Sequence, residues 1–284
     1  MNDAMIVYSI NLIIGAILAG VMGRYWRLGA RAGALRYWIV AAWTLTAADL
    51  LFVLRAAYPD VVVRMLPTLM VTVGHLVLIF AAQRTAERPT TTRIAVLIFA
   101  LHTIFLFGFM VAPQFSDWRS VGNTILWAAL AFQAAWVLSR PIGAHRSVMQ
   151  IPAVVLAAHG VFQAVRLVLA TRSAARPGEG LGPLVQLMGD LEVSLFMVAL
   201  FVSVLAAFLE QSNRELRAAM DDVVQLSSML PLCAWCKNVR NDDGYWQRIE
   251  TYLTTHRVNV THGICEDCAA EHGATPPPAA PATP

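Results

Sequence analysis

LVQLMGDLEVSLFMVALFVSVLAAFL, residues 184–209, runs for the thickness of a membrane with only two charged side chains, Asp190 and Glu192, both in its first half. In a helix rising about 1.5 Å per residue, such a stretch crosses the roughly 30 Å of hydrocarbon with length to spare. Working back along the chain finds six more blocks of the same kind, at approximately 5–22, 37–57, 65–82, 94–112, 121–138 and 149–170. With 57% hydrophobic and 14% charged residues among 284, and a mean hydropathy of +0.58, the chain lies outside the range of ordinary soluble domains. The expected fold class is an all-α membrane protein with seven transmembrane helices.

Orientation is read from the arginines, because short loops rich in Arg stay on the cytoplasmic side. Arg24, Arg27, Arg31, Arg36, Arg84, Arg88, Arg93, Arg140 and Arg146 fall in loops one, three and five. The alternate loops hold Arg64, Arg119, Arg172 and Arg176, near Asp60, Asp117 and Glu179. Nine against four predicts an N-terminus outside, a C-terminus in the cytoplasm, and a multi-pass inner-membrane protein surrounded by lipid. The leader MNDAM has no basic residue and the first block is longer than the apolar part of a secretory signal, so it reads as a span.

All four cysteines lie beyond the last span, as Cys233-x2-Cys236 and Cys265-x2-Cys268 with 28 residues between the pairs. In a reducing compartment paired cysteines bind metal more often than they form disulfides. Four thiolates suit the softness and tetrahedral preference of zinc, and a rubredoxin-like iron site has similar spacing, so both metals stay open. A single redox dithiol accounts for one pair and not two. Covalent haem attachment needs a His after the second Cys, where Lys237 and Ala269 stand. Between the pairs, Asn241–Gly244 signals a turn, and Tyr245, Ile249, Tyr252 and Leu253 fall at helical spacing with Asp243 placed to cap the start. The expectation is a small cytosolic α+β domain of zinc-ribbon type, with His256, His262 and His272 as surface residues or alternative ligands.

The string from Cys233 to Cys268, with CxxCK, GYW at 244–246 and HGIC at 262–265, resembles a Cys-rich segment of bacterial signalling proteins that stands beside receiver, PAS or GAF modules. The membrane part is similar to the multi-helix sensor regions that precede diguanylate cyclases and histidine kinases, through LLFVLRAAYPDVV at 50–62, HGVFQAVRLVLA at 159–170 and the last helix running on as FLEQSNRELRAAM at 208–220. The resemblance implies a signalling role. No cyclase signature, kinase glycine box or phosphoacceptor helix follows the spans, so no enzyme activity is expected.

Leu209, Leu216, Val223 and Leu230 recur every seven residues, with Ser212, Ala219 and Leu226 between them, as in a short coiled coil that would pair two copies. The domain plan is therefore 1–209 membrane sensor, 210–230 helical linker, 231–273 four-cysteine domain and 274–284 a disordered Pro-rich tail. Polar residues inside spans are costly and face the bundle interior. Asp49, Arg55, Arg166, Asp190 and Glu192 share one half of the membrane and are expected to line a small polar pocket, with Arg166 ion-paired to the acids of span seven. His75, His102 and His159 fall at similar depth, where three imidazoles could meet around a metal or haem.

Other seven-helix classes fail on residues. The one lysine, Lys237, lies outside the spans, which excludes a retinal Schiff base, and no span carries the GxS of an intramembrane serine protease. Pro67 and Pro152 are the only hints of broken transporter helices. Basic residues do not cluster beyond the spans, so the footprint of a nucleic-acid binder is missing. The function expected is a membrane sensor or signalling adaptor whose zinc domain meets a cytosolic signalling protein through Trp235, Tyr245 and Trp246. The alternatives are a redox or metal-handling membrane protein using the four Cys and the intramembrane His, and a zinc-regulated transporter.

Overall fold

The computed structural model describes residues 3–28, 33–57, 61–115, 118–140, 148–176, 179–227, 231–241, 243–256 and 264–273. Arg31, Asp60, Asp117, Arg146, Asp242, Arg257, Asn259, His262, Leu230 and the 274–284 tail lie outside them, as do the side chains of Arg64, Val223 and Leu226. The chain divides into two compact units, Met1–Glu215 and Leu216–Pro284.

The first unit is built of α1 (Asp3–Arg27), α2 (Leu35–Ala57), α3 (Val61–Thr85), α4 (Thr92–Val111), α5 (Trp118–Leu138), α6 (Gln150–Ala175) and the first part of α7 (Gly182–Ser227), with a 3-10 turn at Pro113–Phe115. All seven helices are long and apolar enough to cross a membrane. The protein is a multi-pass membrane protein. Each helix overruns its apolar block at one end or both because a helix continues through polar residues once its headgroup-level side chains are solvated. In α7 the overrun is longest, reaching Ser227 through a charged stretch where Glu210 and Arg214 pair one turn apart.

Packing follows sequence order for α1 on α2 and α2 on α3, after which α5 lies against both α3 and α6. Helix α4 sits at the edge on α3, with Ile94, Val96, Leu97, Leu101, Ile104 and Val111 exposed. In water such a face would be an aggregation hazard; in a bilayer it is the surface lipid requires. Side chains tie α7 to the rest: the Tyr25 hydroxyl donates to the Phe208 carbonyl at 3.2 Å, and Tyr8 reaches Asp190.

The bundle interior has two regions. Where α2, α4 and α6 begin and α3 and α5 end, the core is apolar, with Met22, Leu35, Leu78, Leu138, Met149, Leu156, Leu200 and Phe201 fully buried. Trp38 is buried beside them because its indole N–H finds Thr85 Oγ1 at 3.0 Å, a partner buried Trp needs. Arginines collect at this end over aromatic rings, Arg36 and Arg84 on Tyr37 and Arg140 on Trp136. Toward the other end the interior turns polar. There Arg172 and Arg176 both reach Glu179, at 2.7 and 3.1 Å, and the Arg172 guanidinium holds that carboxyl below its ordinary range.

In the second unit, β1 (Val239–Arg240) pairs antiparallel with β2 (Trp246–Gln247) around a turn closed by Asn241 N–H on the Tyr245 carbonyl and Tyr245 N–H on Asn241 Oδ1. Gly244 takes φ +87°, a conformation L side chains resist. Helix α8 (Ile249–Thr255) and helix α9 (Glu266–His272) follow, the latter ended by Gly273 in the left-handed conformation. Two expectations are corrected here. Arg248, not Asp243, stands before α8, because β2 occupies the intervening residues, and Tyr245 belongs to the turn rather than to a helical stripe. Among the described residues of this small unit, Val239 and Ala269 are the buried side chains.

Candidate functional site: a polar cavity among the membrane helices

The polar half of the bundle encloses a cavity of about 140 Å3. Its wall takes Tyr8 from α1, Asp49 and Arg55 from α2, His75 from α3, Asn123 from α5, Gln163 and Arg166 from α6, and Gln186 and Asp190 from α7. Six helices contribute because each brings its few polar residues to the interior, where a partner replaces the water that lipid cannot supply. Of the five residues expected to form a polar pocket, Asp49, Arg55, Arg166 and Asp190 line this one cavity. Glu192 stands behind it, bonded to a histidine of the wall.

The pairing differs from the expectation. No ion pair joins Arg166 to Asp190 or Glu192 among the described residues. Asp190 Oδ1 instead accepts from the Tyr8 hydroxyl at 2.8 Å and from Gln186 Nε2 at 2.7 Å, and Gln186 also donates to the Tyr8 oxygen at 3.1 Å. Buried Arg166 donates through Nε to the Val185 carbonyl at 3.1 Å. Its guanidinium lies across Gly189, where a Cβ would come within 2.6 Å of Cζ. The physical reason is proximity: with glycine at 189 the guanidinium settles on the α7 backbone, leaving the acids to Tyr8, Gln186 and His159.

Two of the three histidines meet. His75 Nε2 and His159 Nε2 face each other at 3.2 Å, and His159 stacks on Phe196 with ring centroids 3.9 Å apart. His159 Nδ1 is 2.6 Å from Glu192 Oε1, and His75 Nδ1 is 2.9 Å from the Val71 carbonyl. His102 stands apart, satisfied by Thr72 Oγ1 and Asn123 Oδ1, each at 3.0 Å. The expectation of a three-histidine centre is corrected on this point: Thr72 and Asn123 occupy both nitrogens of His102, so it has no lone pair to offer a metal. Tyr8, Gln163, Gln186 and Gly189 were not singled out from sequence. The signal was there in part, since Gln163 follows His159 and Gln186 precedes Asp190 by four residues, one helical turn.

In the second unit, Cys233 and Cys236 lie on a turn in which Lys237 N–H donates to the Cys233 carbonyl and Cys233 N–H to the Asn238 carbonyl, with Lys237 at φ +60°. Cys265 is the residue before α9 and Cys268 lies in its first turn. Backbone N–H groups, of Cys236 first and of Trp235 next, hold the Cys233 thiol below its ordinary value, and the Cys268 N–H does the same for Cys265. Each pair is a two-sulfur donor set that fits a soft metal ion. The two CxxC pairs lie near each other and could hold a metal ion. Trp235, Tyr245 and Trp246 are 94%, 74% and 52% exposed.

No protein family, curated protein or solved structure matches the chain. Its chemistry therefore stands on its own residues. The cavity combines a buried guanidinium, two carboxylates and a histidine pair, groups able to bind a charged solute.

Proposed function

We propose that this chain is a membrane sensor that admits a small carboxylate-bearing solute to the cavity and reports its occupancy through α7. One observation carries the reading: Arg166 is buried in the cavity wall, held by its Nε alone, with its two terminal nitrogens lacking a protein acceptor among the described residues. A guanidinium fork presented in this way matches a carboxylate, and in a dry site such a pair is worth more than at a surface. Asp49, and Asp190 with its Tyr8 and Gln186 partners, would take an ammonium group if the solute is zwitterionic. Helix α7 contributes Gln186, Asp190 and Phe196 to the wall and continues as a single helix to Ser227, so a shift at one end has an element to travel along. The exposed aromatics Trp235, Tyr245 and Trp246 would then serve a cytosolic signalling partner, with the two CxxC clamps binding metal as the small unit's support.

The test uses the full chain in lipid nanodiscs, challenged with glycine, glutamate, succinate and inorganic phosphate while thermal unfolding is followed. A ligand at 100 times its dissociation constant stabilises by about 2.7 kcal/mol, enough to move the transition visibly. Stabilisation by a carboxylate in the wild type and its loss in Arg166→Gln is the expected result. Equal behaviour of the two proteins with every solute would count against a sensing cavity.

A further inference from the structure

The histidine pair poses a proton-counting problem. The Val71 carbonyl can only accept, so His75 Nδ1 carries a hydrogen and its Nε2 presents a lone pair. The Glu192 carboxylate likewise takes the hydrogen of His159 Nδ1, leaving a lone pair on that Nε2 too. Two lone pairs then face each other at 3.2 Å in a buried site. Two further acceptors nearby lack donors: Glu192 Oε2, on the same carboxylate, and Gln163 Oε1, one turn along α6 from His159. An arrangement with this many acceptors and too few donors calls for a cation.

We infer that His75 and His159 bind a divalent metal ion of the zinc type through their Nε2 atoms, with its remaining positions open to the cavity. A tetrahedral zinc with bonds of about 2.0–2.1 Å sets neighbouring nitrogens about 3.4 Å apart, close to the separation here. The Nδ1 partners are those a metal-bound imidazole requires, a carbonyl for one ring and a carboxylate for the other, which fix the tautomer and raise ligand basicity. A single proton held between the rings would satisfy the two nitrogens yet leave Glu192 Oε2 and Gln163 Oε1 without donors. Water on a metal ion open to the cavity would have Gln163, which lines the same cavity, as an acceptor within it. With two protein ligands the site is open, and its free positions face the same cavity as Arg166, so a carboxylate could bridge metal and guanidinium.

This names an occupant of the sensing cavity and rests on that reading for its purpose, not for its chemistry. The experiment uses the full chain with all four cysteines changed to serine, so that the C-terminal clamps hold nothing. The protein is stripped with chelator, equilibrated with zinc, and analysed for bound metal, with cobalt(II) as a spectroscopic substitute. About one zinc per chain is expected, with cobalt bands of a nitrogen and oxygen site. His75→Gln and His159→Gln should each abolish binding while circular dichroism and size-exclusion profile hold. Glu192→Gln keeps both ligands and should weaken affinity about 10–100-fold. No zinc in the cysteine-free protein, or zinc unchanged in the histidine variants, overturns the site; a shared proton seen on the two rings by nitrogen-15 NMR in zinc-saturated protein does the same. Stabilisation by a carboxylate without zinc would leave the sensor standing and sink the metal, and zinc without stabilisation would do the reverse.

Discussion

At Gly189 a hydrogen in place of a methyl group decides where Arg166 can lie. The guanidinium rests on the α7 backbone there, and a Cβ would stand 2.6 Å from Cζ and 2.7 Å from Nη2. Gly189→Ala must push the guanidinium off the Val185 carbonyl, and because the clash is with the far end of a flexible side chain, while Ala gains about 1 kcal/mol over Gly in a helix, the thermal midpoint is expected to change little. Loss of carboxylate stabilisation is the expected outcome; carboxylate stabilisation equal to wild type would show that the placement of Arg166 on Gly189 does not set the site. Arg166 itself was legible in sequence as a costly charge in a span. Its partner was not, because Asp190 and Glu192 are both within reach along the chain, and only the side-chain directions show that Tyr8, Gln186 and His159 have taken them.

At the scale of elements, the two CxxC pairs use different devices for one purpose. One sits on a turn with Lys237 in the left-handed conformation, the other at the start of α9, and both aim backbone N–H groups at a sulfur. A lowered thiol value means that thiolate persists to lower pH than in a free cysteine, whose value is about 8.5. In chelator-treated protein, alkylation of Cys233 and Cys265 should therefore reach half its maximal rate at lower pH than for a cysteine peptide. Peptide-resolved mass spectrometry over a pH series measures this, and midpoints at or above that of the peptide would contradict the hydrogen bonding. The spacing of the cysteines announced two clamps. Whether they form one tetrad could not be read from spacing, because the distance between pairs depends on how the residues between them fold. Along α7 the heptad stripe emerges as exposed apolar side chains, with Leu209 41% and Leu216 60% accessible, and the helix itself reaches Ser227.

For the molecule as a whole, the arginine count predicts which side of the membrane the C-terminal unit occupies, and the chain carries its own reporters. All four cysteines lie beyond the seventh span. A membrane-impermeant maleimide applied to intact cells should leave them unlabelled and should label them after permeabilisation. Labelling of intact cells would reverse the orientation and place the polar cavity at the cytoplasmic end.

The sequence by itself determined the seven spans and the two cysteine pairs, because hydrophobic length and ligand spacing are local properties that a stretch of chain carries alone. It also marked the polar residues that had to face inward, since lipid offers them no partner. Only the tertiary structure decided who meets whom. Each residue turns a helix by about 100°, so a small rotation or slide of one helix exchanges its interior contacts. His75 and His159 were brought face to face, His102 was drawn away to Thr72 and Asn123, and Arg166 was set on Gly189 by the packing of α3, α5, α6 and α7. Composition contains no term for that rotation, and the chemistry of the cavity depends on it.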